Sequence, residues 1–367
     1  MKSTKIVMEN RTKTVFLQAE TLTPSMYEDF VRYIDRSEKT TRTYLKNLKA
    51  FAAWTAYSGI TQPTRENVIA YRTWLSSKHD AIKYDTETGW KYRVDKHGNH
   101  ISEKLKSSTV SAYLRSVKQF FAWTEASGIY PDIAKGVRVP KVSKEHKKDA
   151  LPFEAVPEIE SQILSDGEKK KKGAAASLKD RKGKIQRAAE QELRMQAMYL
   201  LAINAGLRTI EISRADVKDF VQHGKQAWLY VYGKGRSEAD QKKAIAPEVA
   251  SALRDYLEAR KDGAPMDSPL FVATGNRSAG KRIAATTIST MLKQVMVSAG
   301  YSDQRLTAHS LRHTTATAVM QMSGRNLYQT EHYMRHASPT TTELYLHIDQ
   351  EKEDAETAEK LFEYYQL

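Results

Sequence analysis

The sequence predicts a mainly α-helical protein with one small antiparallel β-sheet, divided into two domains. Three observations carry this. Apolar residues recur at i, i+3, i+4 and i+7 through most of the chain, the signature of one helical face. A helix-length motif occurs twice in the first half. Three short strand-like runs, separated by glycine turns, lie together in the second half. The 367 residues suit two domains, or three. With 40% hydrophobic and 28% charged residues, the chain has the material for packed cores and does not read as disordered.

The elements follow in order. Residues 1–23 read as an amino-terminal tail, too short for a domain. A helix is expected from Thr23-Pro24, with Thr as cap and Pro at the first helical position; Tyr27, Phe30, Val31 and Ile34 line its apolar face. The repeat comes next. Residues 44–60 (YLKNLKAFAAWTAYSGI) and 113–129 (YLRSVKQFFAWTEASGI) agree at ten of seventeen positions with an offset of 69. Each copy stops at Ser-Gly, a helix C-cap, and its Trp and Phe positions read as core. Arg42, Lys46, Lys49, Arg115 and Lys118 are interleaved with them; a DNA-facing role and a solvating role are both open. Between the copies, residues 84–100 carry two Gly turns and alternating Trp90, Tyr92 and Val94, which predicts a hairpin inserted within 79–105.

Residues 138–148, with Pro140, Lys141 and further lysines, read as a basic interdomain linker. Residues 165–187 hold nine Lys or Arg against Asp166, Glu168 and Asp180 and read as a mobile basic insertion. Met198, Leu201, Ala202 and Ala205 form a helical stripe closed by Gly206. Strands are expected at 217–220, 228–232 and 243–246, and helices from there on. The tail 349–367 is acidic, with Leu361, Phe362 and Tyr365 on one helical face, a pattern suited to docking on a neighbouring subunit.

Lys and Arg number 58 against 44 Asp and Glu, a net charge of +14 that favours a polyanionic partner. Cysteine is absent, which excludes disulfides, a thiol nucleophile and cysteine-ligated zinc. No secretory signal is visible, and no apolar run approaches the roughly 18 residues of a membrane helix. The expectation is a cytoplasmic protein that meets nucleic acid and no membrane.

Four segments carry chemistry. In Asn204-Ala-Gly-Leu-Arg208-Thr-Ile-Glu211, an Arg follows a helix-ending Gly and Glu211 stands three residues on; a structural ion pair and a functional Arg are equally open. Tyr232-Gly-Lys234-Gly-Arg236 places basic residues at a hairpin tip, without the spacing of a phosphate-binding P-loop. His309-Ser-Leu-Arg312-His313 puts three side chains on one helical face. A zinc reading fails there, since Ser310 stands where a metalloprotease helix needs Glu, and Arg312 opposes a cation. Arg335-His336 precedes Pro339 and a Thr run that leads to Tyr345. Taken together, two Arg suit the oxygens of a pentavalent phosphorus transition state, Lys and His suit proton transfer, and Tyr suits attack on phosphorus. Neither metal nor other cofactor is called for.

The order Arg, Lys, His-x-x-Arg, His, Tyr resembles that of the tyrosine recombinases, the phage-integrase and Xer-type family. The string AHSLRHTTAT is similar to the family's central box, and the nine-residue interval from His336 to Tyr345 fits its last box. The resemblance implies a helical core-binding domain over 24–137, an α+β catalytic domain over 149–348, and a C-shaped clamp on DNA. It implies that Arg208 and Arg312 clamp the scissile phosphate and that Lys234 protonates the leaving 5′ oxygen. His309 and His336 assist at the nucleophile, and Tyr345 forms a 3′-phosphotyrosyl link. Glu211 braces Arg208, and His313 stands behind them. Arg42, Lys46, Lys49, Arg115, Lys118, Lys141 and Arg236 are the expected DNA contacts. The partners implied are double-stranded DNA with a specific core site, three further copies in a tetramer that exchanges C-terminal segments, and an accessory directionality factor. The family usually has Gly before its last-box His, where this chain has Arg335. A type IB topoisomerase and a DNA-binding regulator on an inactive scaffold are the rival readings.

Overall fold

The repeated motif folds into two helices that meet at equivalent residues. The computed structural model describes residues 24–141, 150–177, 180–233, 238–275 and 278–335. The chain separates into two compact units, Met1–Ser143 and Lys144–Leu367. In the first, α1 (Pro24–Tyr33), α2 (Glu38–Tyr57), α3 (Arg65–Ser76) and α4 (Ser107–Ala126) enclose an aromatic core. The repeat helices α2 and α4 stop alike: Gly59 and Gly128 both turn at φ +66°, a left-handed conformation that suits Gly. Asn47 donates to the Ser116 hydroxyl at 2.9 Å, and these two residues occupy the same position of the repeat. Phe51, Phe120 and Phe121 are fully buried, with Trp54 and Trp123 nearly so. Each such side chain contributes about 1.5–3 kcal/mol of hydrophobic stabilisation.

The hairpin between the copies is present. β2 (Ile82–Asp85) and β3 (Gly89–Tyr92) pair antiparallel, and β1 (His79–Asp80) pairs with β4 (Ser102–Glu103) at its base. Asp85 closes the turn by accepting the N–H groups of Glu87 and Thr88, both at 3.1 Å. Trp90 lies edge-on to Tyr57 of α2, with ring centroids 4.7 Å apart, so the hairpin packs on the first repeat helix.

The second unit opens with two long helices, α5 (Ala155–Ala175) and α6 (Arg181–Ile203). The sequence suggested a mobile stretch at 165–187; its described residues instead include the end of one helix, to Ala175, and the start of the next, from Arg181. Lys and Ala are strong helix formers, and a Lys run does not oppose a helix when its charge is partnered. Lys171 pairs with Glu168 on its own helix and with Glu192 on α6, each at 2.9 Å.

After α6 come α7 (Thr209–Arg214) and a sheet of β5 (Phe220–His223), β6 (Gln226–Val231) and β7 (Gln241–Ile245), antiparallel in that order. The first strand starts later than the sequence suggests. Val217–Asp219 is a 3-10 turn instead, fixed by the Asp219 carboxylate accepting the Asp216 N–H at 2.8 Å. The sheet's buried face carries Ala227, Leu229, Val231, Lys243 and Ile245. Four helices follow among the described residues: α8 (Pro247–Ala259), α9 (Ala285–Ser298), α10 (Ala308–Met322) and α11 (Leu327–Met334). Among the described residues, no helix is long and apolar enough to cross a membrane.

Candidate active site

Gly206 begins the site. It turns the chain out of α6 at φ +61°, and a Cβ there would lie 2.9 Å from the Met334 methyl and 3.3 Å from Thr315. The turn delivers Arg208 to the cap position of α7. Glu211, at the third helical position, accepts the Arg208 N–H at 2.8 Å and its guanidinium Nη1 at 2.9 Å. This is a capping box with a guanidinium added. The Glu211 side chain is 2% exposed and that of Arg208 is 33%, so a buried carboxylate steers a cation that reaches solvent.

The helix α10 brings the second arginine. Thr307 caps it, accepting the His309 N–H at 3.3 Å, and the Thr307 N–H donates to the Ser310 hydroxyl at 3.0 Å. Thr315 donates to the Ile203 carbonyl at 2.6 Å, which fastens α10 to the end of α6. Arg312 is buried, and its guanidinium donates to the carbonyls of Gly206 and Met334. One side chain thus ties the turn before Arg208 to the end of α11. His309 is exposed, and its ring meets His313 edge-on at 4.6 Å between centroids.

Two more basic residues join this group, Lys243, which the sequence reading did not single out, and Arg335, which it noted only as a departure from Gly. Lys243 is 4% exposed, donates to the Tyr333 carbonyl at 2.8 Å, and sits 3.0 Å from the centroid of the Tyr333 ring. Burial pulls its pKa down to about 6, helped by Arg335 and Arg312 and opposed by Glu211. Arg335 ends α11 at φ +52° and ψ +51°, and donates through Nη2 to Glu211 at 2.9 Å. Its departure from the expected Gly therefore keeps the left-handed turn and adds a guanidinium. Strand alternation held the signal for Lys243, which shares the inward face of β7 with Ile245. Arg335 had no signal beyond its being unusual there.

The result is two guanidiniums, Arg208 and Arg335, on one carboxylate, with Arg312 and the buried amine of Lys243 beside them. Such a cluster grips the oxygens of a tetrahedral anion through charge-assisted donors and without proton transfer. Among the described residues, no group of three or more His, Asp or Glu could hold a metal ion. Tyr333 donates its hydroxyl to the Asn204 carbonyl at 2.9 Å, and burial raises its pKa; it is engaged in structure.

Other expected residues fall elsewhere. Lys234, Arg236, His336 and Tyr345 lie outside the described residues. In the first unit, Arg42, Lys46 and Lys49 line a groove of about 640 Å³ between α2 and the hairpin, together with Lys83 and Arg93. Arg42 pairs with Glu38. Arg115 and Lys141 are exposed. Lys118 is half-buried and donates to the Val137 carbonyl at 3.1 Å.

Residues 180–352 match the phage integrase family. The chain is 27% identical to the tyrosine recombinase XerC of Corynebacterium efficiens over 331 residues, covering 89% of this chain and 87% of that one. It is also 27% identical to XerC of Yersinia pestis over 246 residues, 67% of this chain and 70% of the relative. In fold it is similar to a lambda integrase dimer bound to a COC' core site, with a TM-score of 0.55 at 14% identity, covering 88% of this chain and 76% of that one.

Proposed function

We propose how this chain, a tyrosine recombinase, divides its chemistry among its own residues. Its activity is site-specific DNA recombination, in which strands are cleaved and rejoined by way of a tyrosine. Tyr345 is the nucleophile. Its oxygen attacks the scissile phosphorus, the bond to the 5′ oxygen breaks, and a 3′-phosphotyrosyl ester forms. Rejoining reverses these steps, so the phosphodiester energy is conserved and neither ATP nor metal is required. Arg208 and Arg312 neutralise the non-bridging oxygens as charge builds in the transition state. Lys234 protonates the leaving 5′ oxygen. His309 and His336 assist as the tyrosine loses its proton, with His313 against His309. Glu211 holds Arg208 in place.

The observation that carries this reading is the turn at Gly206. There Arg208, held by Glu211, and Arg312, tied to the Gly206 carbonyl, converge. Residues 24–137 form the core-binding domain, with 1–23 as a tail before it. The basic linker is 138–148, the catalytic domain is 149–348, and 349–367 docks on a neighbour. Arg42, Lys46, Lys49, Arg115, Lys118, Lys141 and Arg236 meet the phosphate backbone of a specific core site. Four copies act on two paired sites, through a Holliday junction, with an accessory factor setting direction.

The test is a covalent trap. The full chain is incubated in EDTA with supercoiled DNA carrying the flanks of its own gene, then quenched with detergent. Wild type should leave protein attached to DNA, and Tyr345→Phe should bind but leave none. An adduct that persists in Tyr345→Phe moves the nucleophile elsewhere, and one that EDTA abolishes sinks the metal-free route.

A further inference from the structure

Arg335 is more than a brace for Glu211. Its side chain is 10% exposed, and Nη2 donates to Glu211. Nε and Nη1 are buried donors without a hydrogen-bond partner among the described residues. A buried guanidinium with unmet donors is costly in a free protein, and more so beside the like charges of Arg208 and Arg312. The backbone adds strain, since a non-glycine residue is held at φ +52°. The Glu211 carboxylate that meets Arg335 is shared with Arg208. An anion with several acceptor oxygens would satisfy the idle donors and the like charges together.

We infer that Arg335 is a phosphate ligand of this chain, a third guanidinium that completes the cradle begun by Arg208 and Arg312. This deepens the reading above and rests on it for the identity of the phosphate as the scissile one. It adds charge at a position where the family resemblance leads one to expect none. It also makes the free site strained and the phosphate-bound site relaxed.

The experiment uses the full chain and inorganic phosphate, followed by thermal unfolding, with chloride at matched ionic strength as control. Phosphate should raise the Tm of wild type where chloride does not. Arg335→Gly suits the left-handed turn, so its Tm without phosphate should be unchanged or higher. Its phosphate affinity should fall about ten- to a hundredfold, the range of one or two charged hydrogen bonds. Arg335→Met keeps the bulk without the donors and should lose as much affinity. A loss confined to the Gly variant would mean a backbone effect and overturn the assignment. An unchanged phosphate response with a lowered Tm would make Arg335 a structural brace alone. A wild type that responds to phosphate no more than to chloride would remove the anion cradle. Neither a DNA site nor a tyrosine enters this titration, so its outcome is separate from that of the covalent trap.

Discussion

Both units use cations to fasten backbone carbonyls, and they do so at different cost. In the first, Arg65, Arg72 and Lys118 donate to the carbonyls of Lys135, Arg138 and Val137, which holds the segment after α4 in place. These side chains are exposed or half-buried, so water meets their remaining donors. In the second, Arg312 and Lys243 donate to the carbonyls of Met334 and Tyr333 from buried positions. The carbonyls at the end of α11 attract cations, as any helix C-terminus does. There Arg208 and Arg335 share the buried carboxylate of Glu211. The bond type is the same in both units; desolvation separates the exposed fasteners of the first from the buried cluster of the second.

The largest effect expected from breaking this contrast is at Arg312. Arg312→Ala removes a donor of the proposed phosphate clamp and strands two carbonyls. Adduct formation should fall by about 10²–10³-fold, the range for one such donor at a transition state. Urea unfolding should show a stability loss of about 1–3 kcal/mol. Activity close to wild type would place the chemistry away from this turn.

Lys243 sharpens the contrast through pH. Its pKa lies near 6 in the folded chain and at the ordinary 10.5 when unfolded. Between those values the unfolded state binds more protons, so stability rises with pH across that window. Lys243→Met should remove this dependence and stabilise the free protein at pH 6, by an amount on the order of several kcal/mol. A bound phosphate favours the charged amine. Wild type should therefore take up a proton on binding DNA at pH 7–8, measurable by calorimetry in buffers of different ionisation enthalpy, and the variant should take up less. Equal uptake in both would exclude Lys243 as its source.

The smallest effect belongs to the first unit. Arg72→Ala should cost no more than about 1 kcal/mol, because its remaining interactions are with water. A loss above about 2 kcal/mol would show that the two sets of cations are not so different.

Much of this was legible in the sequence, for local reasons. The repeat showed its helices because Ser-Gly stops and aromatic spacing are properties of the segment itself. The pairing of Arg208 with Glu211 was legible because three residues separate them at a helix start. Lys243 and Arg335 were not, since their meaning comes from what burial brings beside them from α7, α10 and α11. The helices at 165–175 and 181–187 were not legible because charge density suggested a mobile stretch, while Glu192, which partners Lys171, lies farther along the chain on α6. The first strand of the sheet was placed three residues early because Asp216 and Asp219 cap each other, which no hydrophobic alternation reveals.

The central claim is that this chain joins itself to DNA through Tyr345 and so recombines it. The most direct test is to purify the trapped covalent complex, digest protein and DNA, and identify the nucleotide-bearing residue by mass spectrometry. A nucleotide on Tyr345 is the predicted result. A nucleotide on Tyr333, on another tyrosine or on any serine would contradict the account.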